Sequence, residues 1–284
     1  MTTHEETVQT RPALARPEIH QTGLLRQSLT IVRRNLIHIK RMPEMLMDVT
    51  IQPIMFVLLF AYVFGGSIET GSPAGYREWL LGGIMGQTIA FASFVVAVGL
   101  TADIDKGIVD RMRSLPINPA AVLVGRSISS LMHSSIGILV MSVTGLFVGW
   151  RIRDGLPNAV LAYLLLLMWG FAMIWVGILV GSAMRSVESV NGLMFTTMFP
   201  ITFLANTFAP TSNMPHWLRV IAEWNPISSL VQAVRQLWGN DLPVPADAAL
   251  PLHHPIITTL IWTVGLTLVM APLAIRAFAK RTEG

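Results

Sequence analysis

Six apolar runs, each near the length of a bilayer-crossing helix, are broken between the second and third by a charged stretch at 103–119. The runs fall at 49–64, 80–102, 121–148, 158–184, 190–206 and 255–278. A helix needs about 20 apolar residues to cross a hydrocarbon core about 30 Å thick. Backbone groups in hydrocarbon must be satisfied within the protein, so such runs are expected to be helices. The expected fold is therefore all-α: a polytopic membrane protein with six transmembrane helices. The chain is 13% charged, about half the share typical of soluble domains. Zero cysteines exclude disulfides, thiolate metal sites and cysteine nucleophiles.

Residues 1–23 lack apolar periodicity and read as a disordered cytoplasmic tail, with no core of a secretory signal. In 24–42, Leu25, Leu29, Val32, Leu36 and Ile39 recur at helical spacing, while Arg26, Arg33, Arg34, Lys40 and Arg41 make up a basic remainder. That pattern predicts an amphipathic helix in the membrane interface. Residues 43–284 then form a single six-span domain, with a Pro-rich extracellular segment at 207–254. Orientation follows from the cations. With the N-terminus inside, fifteen Lys and Arg are cytoplasmic and five are outside: Arg77, Arg151, Arg153, Arg219 and Arg235. This positive-inside bias places both termini in the cytoplasm, with Arg151 and Arg153 discordant. Small pairs at four-residue spacing, Gly82/Gly86, Gly145/Gly149 and Gly177/Gly181, are expected to pack helices within one subunit.

The residues that carry chemistry are few. No phosphate-binding loop of the form G-x-x-x-x-G-K-[ST] is present. The pair His253-His254 lacks a spaced third ligand. His133 and Asp48 are the deepest ionisable side chains, and both lie near a span's edge. An ion-coupled carrier would place such a group deep in the membrane. The basic residues flank apolar runs, which is a topology pattern and not a nucleic-acid groove. Lacking an energy source, the chain is expected to borrow one.

The charged stretch supplies the place. Asp103, Asp105, Lys106 and Gly107, then Asp110, Arg111, Met112, Arg113, Ser114, Leu115 and Pro116, followed by Gly125-Arg126, resemble the cytoplasmic loop of type 2 ABC-exporter permeases. The resemblance is to the daunorubicin-resistance branch. A second match, Asn206 to Pro210, Met214-Pro215, Trp217-Leu218, Asn225-Pro226 and Val234-Arg235, resembles that family's extracellular segment, which dips back into the membrane as short re-entrant helices. It implies that 103–119 is a coupling helix docking on a separate ABC ATPase subunit, and that the interfacial helix with Arg33, Arg34, Lys40 and Arg41 touches that subunit too. It also implies a second permease subunit, identical or related, paired along the first and fifth spans. ATP and magnesium would be bound by the ATPase, with no cofactor and no ATPase site in this chain. Asn118-Pro119 departs from the family pattern.

The stretch is read as a short helix with Asp103 and Asp105 near its start and Arg111 and Arg113 near its end, complementing the helix dipole. Gly107 is expected to allow close approach of the partner, and Pro116 to end the helix. Gln52, Asn191 and Asn206 are candidate pathway or seam residues. Met55, Met85, Met194 and Met198 fit either a path for bulky apolar substrates or ordinary gap filling. The reading is the membrane subunit of an ATP-driven exporter in the bacterial inner membrane, moving an amphipathic drug-like or lipid-like compound. A polysaccharide or lipid-linked glycan exporter of the same architecture is the alternative. An ion-coupled carrier would need a buried carboxylate and internal repeats, and an intramembrane enzyme a ligand or nucleophile constellation; neither pattern is evident.

Overall fold

A computed structural model describes residues 43–64, 75–108 and 119–283. Among these residues all regular structure is helical. Helix α1 spans Pro43–Leu59 and continues into a π-helical turn, Phe60–Phe64. The long helices are α2, Gly75–Asp105, α3, Pro119–Val148, and α4, Gly155–Ala183. Helix α5, Val187–Leu204, leads into a 3₁₀ turn at Thr211–Asn213. The short helices α6, His216–Trp224, α7, Pro226–Trp238, and α8, Leu250–His253, precede the final helix α9, Pro255–Glu283.

Among the described residues four helices are long and apolar enough to cross a membrane: Gly75–Asp105, Val122–Val148, Gly155–Ala183 and Pro255–Arg281. The remaining two expected spans are shorter. Thr50–Val63 is a brief apolar helix, and α5 has 18 residues with Pro200 inside it, which at 1.5 Å per residue is about 27 Å.

Helices α2 and α4 form the axis, and glycine decides how closely they meet. A Cβ on Gly177 would lie 2.2 Å from the Ser93 carbonyl oxygen, and one on Gly181 2.6 Å from that of Ala97. The Gly82/Gly86 pair faces α7, where added Cβ atoms would meet Arg235 Cγ at 2.9 Å and Val231 Cγ2 at 2.6 Å. Gly145 receives Leu81 of α2. Small-residue spacing thus serves packing within the subunit, as expected. Gly149 is the exception, a turn residue at φ +107° after α3.

The core joins Leu80, Leu81, Ile84 and Ile89 of α2 to Leu165, Leu166 and Trp169 of α4 and to Leu230, Val231 and Val234 of α7. The 207–254 segment is therefore more than a polar excursion, since α7 is buried along most of its length. A second cluster joins Leu100, Leu123, Ile178 and Phe278 near the other end of the bundle. Hydroxyls in α3 and α9 bond the carbonyl four residues back, as Ser127 does to Leu123 at 2.9 Å and Thr263 to Thr259 at 2.7 Å. That back-bonding satisfies polar groups inside apolar helices. Met85, Met194 and Met198 are buried in the core, and only Met55 of the four faces outward.

Candidate functional site

The end of α2 carries the first residues of the charged stretch. Asp103 and Asp105 lie in the last turn of this 31-residue helix, not at the start of a short helix of their own. A carboxylate there faces the negative end of the helix dipole, which is unfavourable. Two arginines from distant helices compensate. Arg126 of α3 pairs with Asp103, and Arg281 of α9 faces Asp105 at 3.4 Å. Gly99 leaves room for the Arg126 guanidinium, since a Cβ would lie 2.5 Å from Nη2.

Gly107 ends the helix. It sits at φ +66°, and its N–H bonds the Ile104 carbonyl at 2.9 Å while Lys106 N–H bonds that of Ala102 at 3.1 Å. This left-handed position suits glycine, because it carries no Cβ. Its role within the described residues is therefore helix termination. Lys106 is exposed. Asp110, Arg111, Arg113, Leu115 and Pro116 lie outside the described residues, as do Arg33, Arg34, Lys40 and Arg41.

The opposite end, about 45 Å away along α2, holds a polar cap. Glu78, buried in the first turn of α2, accepts two hydrogen bonds from Arg153 at 2.8 Å each. Asn240 donates to Glu78 at 3.0 Å and to the Arg151 carbonyl at 3.0 Å, and accepts from Trp150 Nε1 at 2.8 Å. Trp150 meets Trp238 edge-to-face at 4.9 Å. Glu78 holds the Arg153 guanidinium's pKa above its ordinary value through that hydrogen-bonded pair. Arg151 donates to the Leu146 and Trp150 carbonyls at 2.7 Å, at the end of α3. The two discordant arginines of the topology count thus have structural partners. Glu78→Ala strands Arg153 and Asn240, so we expect a lower melting temperature than Glu78→Gln, which keeps an acceptor for both; thermal unfolding in detergent checks the order.

The second motif builds the junction of α5, α6 and α7. Asn225 is the N-cap of α7: its Oδ1 accepts the Ile227 N–H at 2.9 Å, and Nδ2 donates to the Ile201 carbonyl of α5 at 2.6 Å. Pro226 occupies the first helical position, where no N–H is needed. Pro215 is the N-cap of α6. Trp217 points outward at 66% exposure, with Val220, Ile221 and Trp224 on the same face. The inward face of α6 is polar instead. Buried Glu223 accepts from Arg219 at 2.6 Å, from Thr211 at 3.3 Å and from the Ala249 N–H at 2.7 Å.

Arg219 also grips Asp247 through bonds of 2.9 and 3.0 Å, and the hydrogen-bonded guanidinium lowers the Asp247 pKa. A lowered carboxylate stabilises above its unfolded pKa of about 3.9 and loses that contribution as pH falls through the folded value. Amide protection in 242–249, relative to the intrinsic exchange rate at each pH, should therefore fall on acidification below about pH 4, and Asp247→Asn should show the lower protection already at neutral pH.

Arg235 of α7 is fully buried. Nε donates to the Trp79 carbonyl at 2.7 Å, Nη1 to that of Asn206 at 2.8 Å and Nη2 to that of Thr207 at 3.0 Å. The guanidinium lies 3.4 Å from the Trp79 ring centroid. Burial pushes its pKa down, and the carbonyls and ring supply what water would. Asn206 and Arg235 thus come together, with Asn206 Oδ1 buried and unpartnered among the described residues. Gln52 and Asn191 lie elsewhere, Gln52 exposed on α1 and Asn191 half-buried on α5.

Sequence reasoning passed over Glu78, Asn240 and Glu223, and took Arg281 only as one of the fifteen cytoplasmic cations. A carboxylate in the first turn of an apolar run is a usable signal for Glu78. Arg281 offered none, because a cation ending a span is what topology already requires.

The family model described as ABC-2 type transporter matches residues 26–238. The Daunorubicin resistance ABC transporter permease protein DrrB1 of Streptomyces coeruleorubidus is 29% identical over 255 residues, covering 90% of this chain and 84% of that protein. The Probable doxorubicin resistance ABC transporter permease protein DrrC of Mycobacterium tuberculosis is 25% identical over 232 residues, covering 78% of each chain. The match runs from before α1 through α7, taking in both the end of α2 and the Arg235 cap, so the chain belongs to the ABC-2 type transporter family, as a membrane subunit of an ABC transporter.

Proposed function

We propose that this chain is the permease subunit of an ATP-driven exporter that moves an amphipathic drug-like or lipid-like compound out of the bacterial cell. The observation that carries the reading is family membership over 26–238, joined to an α2 end whose Asp103 and Asp105 are anchored to α3 and α9. ATP binding closes two partner ATPase subunits. The stretch 103–119 docks on them, with Asp110, Arg111 and Arg113 as its first contacts and the helix carrying Arg33, Arg34, Lys40 and Arg41 beside it. The chain itself hydrolyses nothing and holds no cofactor. Differential ATP affinity shifts the pathway between its inward-closed and outward-open populations.

Helix α1 with its π turn and helix α5 complete six spans in this reading. Both carry outward apolar faces, Ile51 and Met55 on α1 with Tyr62 on its π turn, and Phe195, Phe199 and Phe203 on α5, which a second permease subunit covers. The exposed side of α5 is dominated by phenylalanine, with the Thr196 hydroxyl beside Phe195, which favours an apolar substrate over a glycan. The relatives' names support a drug of the anthracycline kind. Helix α6 sits in the outer membrane interface, with Trp217 and Trp224 in the headgroup zone.

The test is daunorubicin export measured as ATP-driven uptake into inverted vesicles carrying the chain and its ATPase subunit. We expect ATP-dependent transport that a protonophore leaves intact. Transport that survives an inactive ATPase but stops with the protonophore would sink the reading. Arg111→Glu and Gly107→Leu should abolish efflux while the permease still reaches the membrane. Leucine at the left-handed position 107 costs roughly 1–2 kcal/mol of backbone strain. Unchanged complex formation and efflux in both variants would count against docking.

A further inference from the structure

Arg281, near the end of α9, does what a topology signal has no need to do. Its side chain is 20% exposed and reaches three segments together. Nη1 donates to the Gly181 carbonyl at 3.0 Å and meets those of Ser182, at 3.5 Å, and Met184. Nη2 faces Asp105 at 3.4 Å and the Arg185 carbonyl at 3.5 Å. The Gly181 carbonyl also accepts Thr101 Oγ1 of α2 at 2.9 Å. The carbonyls of the last turn of α4 lack helical partners and form the negative end of its dipole, so a cation suits them.

The position matters as much as the contacts. Asp105 is the last residue of α2, two before the Gly107 stop. Met184 and Arg185 immediately precede Ser186, the N-cap of α5. Asp103 pairs instead with Arg126, so its load passes to α3. A displacement of the stretch after Asp105 has a polar route to the start of α5 through Arg281.

We propose that Arg281 is a positioning residue that transmits movement of the coupling stretch to α5 through the α4–α5 turn. The inference rests on the coupling reading above. A simple cap of α4 would contribute stability alone, so the test must read motion. The chain contains no cysteine, which lets spin labels enter without background.

One label at Ile257→Cys, on the outward face near the start of α9, serves as reference for Ala102→Cys on α2 or Glu188→Cys on α5. Electron–electron distances are measured in the assembled complex, with and without ATP trapped by vanadate. We expect both pairs to shift in the otherwise unaltered chain. In Arg281→Met the α2 pair should shift and the α5 pair should not, with daunorubicin exported per ATP falling roughly fivefold or more. If Arg281→Met fails to assemble, Asp105→Ala removes the acceptor for Nη2, leaves the α4 cap in place and should give the same split. Both pairs shifting as before in either variant overturns the proposal. Neither pair shifting in the unaltered chain overturns the coupling reading and the inference with it. Coupled shifts without any daunorubicin export remove only the drug assignment.

Discussion

Replacing Arg235 with leucine should leave the protein unable to accumulate as a folded membrane species. The wild-type guanidinium is already out of water, and three carbonyls and the Trp79 ring offset that desolvation. Deleting the charge removes the desolvation penalty but strands its acceptors. The Trp79 carbonyl lies inside α2 and keeps its helical partner. Those of Asn206 and Thr207 lie beyond the end of α5 and have no such alternative. A buried polar group left unpaired costs about 1–3 kcal/mol, and the cavity left by the shorter side chain adds to that. Against a net stability of about 5–15 kcal/mol, the loss is severe. Lysine should rescue little, because a point ammonium cannot span three carbonyls and stack on an indole as a planar fork does. Detergent-solubilised yield and monodispersity by size exclusion are the measurements. Wild-type behaviour of Arg235→Lys would show that charge alone suffices.

The second large effect is expected at Gly83 and Gly177. A methyl group at Gly83 would stand 2.0 Å from the Thr207 carbonyl oxygen and 2.8 Å from Arg235 Nη2. At Gly177 it would stand 2.2 Å from the Ser93 carbonyl oxygen. Both obstacles are main-chain atoms, so no side chain can rotate away and whole helices must part. Overpacking of this kind costs typically 1–3 kcal/mol or more, whereas alanine in an unobstructed helix gains up to about 1 kcal/mol over glycine. Gly265 of α9 has nothing within 4 Å and is the matched control. Thermal unfolding should place Gly83→Ala and Gly177→Ala well below wild type, with Gly265→Ala at or slightly above it. Equal behaviour of all three would mean that the close approach of α2 to α4 and to the Thr207 segment is not what holds the bundle.

Much of this was legible because it is local. Apolar runs of about 20 residues dictate helices in a membrane, and the small-residue spacing at Gly177 and Gly181 dictates close packing. The Asn225-Pro226 pair, taken up in the sequence only as part of the family resemblance, starts α7 through a cap and a missing N–H that act within two residues. One local reading failed. Asp103 and Asp105 looked like the start of a helix because charge follows apolar residues there, yet α2 runs on through them. Gly107 then stops that helix, and a left-handed glycine has no composition signature of its own.

What the sequence determined by itself is the solvent, the helical class and the family, all written in short-range pattern. Only the tertiary structure decided which charges meet. Asp105 and Arg281 are 176 residues apart, Trp79 and Arg235 are 156 apart, and Asn240 and Glu78 are 162 apart. Apart from Trp79, which offers its main-chain carbonyl and its ring, each partner was visible as a charge or an amide near a helix end, where many alternatives were equally polar. The choice among them is made by helix packing, because a buried or half-buried ion is tolerated only where another helix brings its counter-charge or carbonyls within reach.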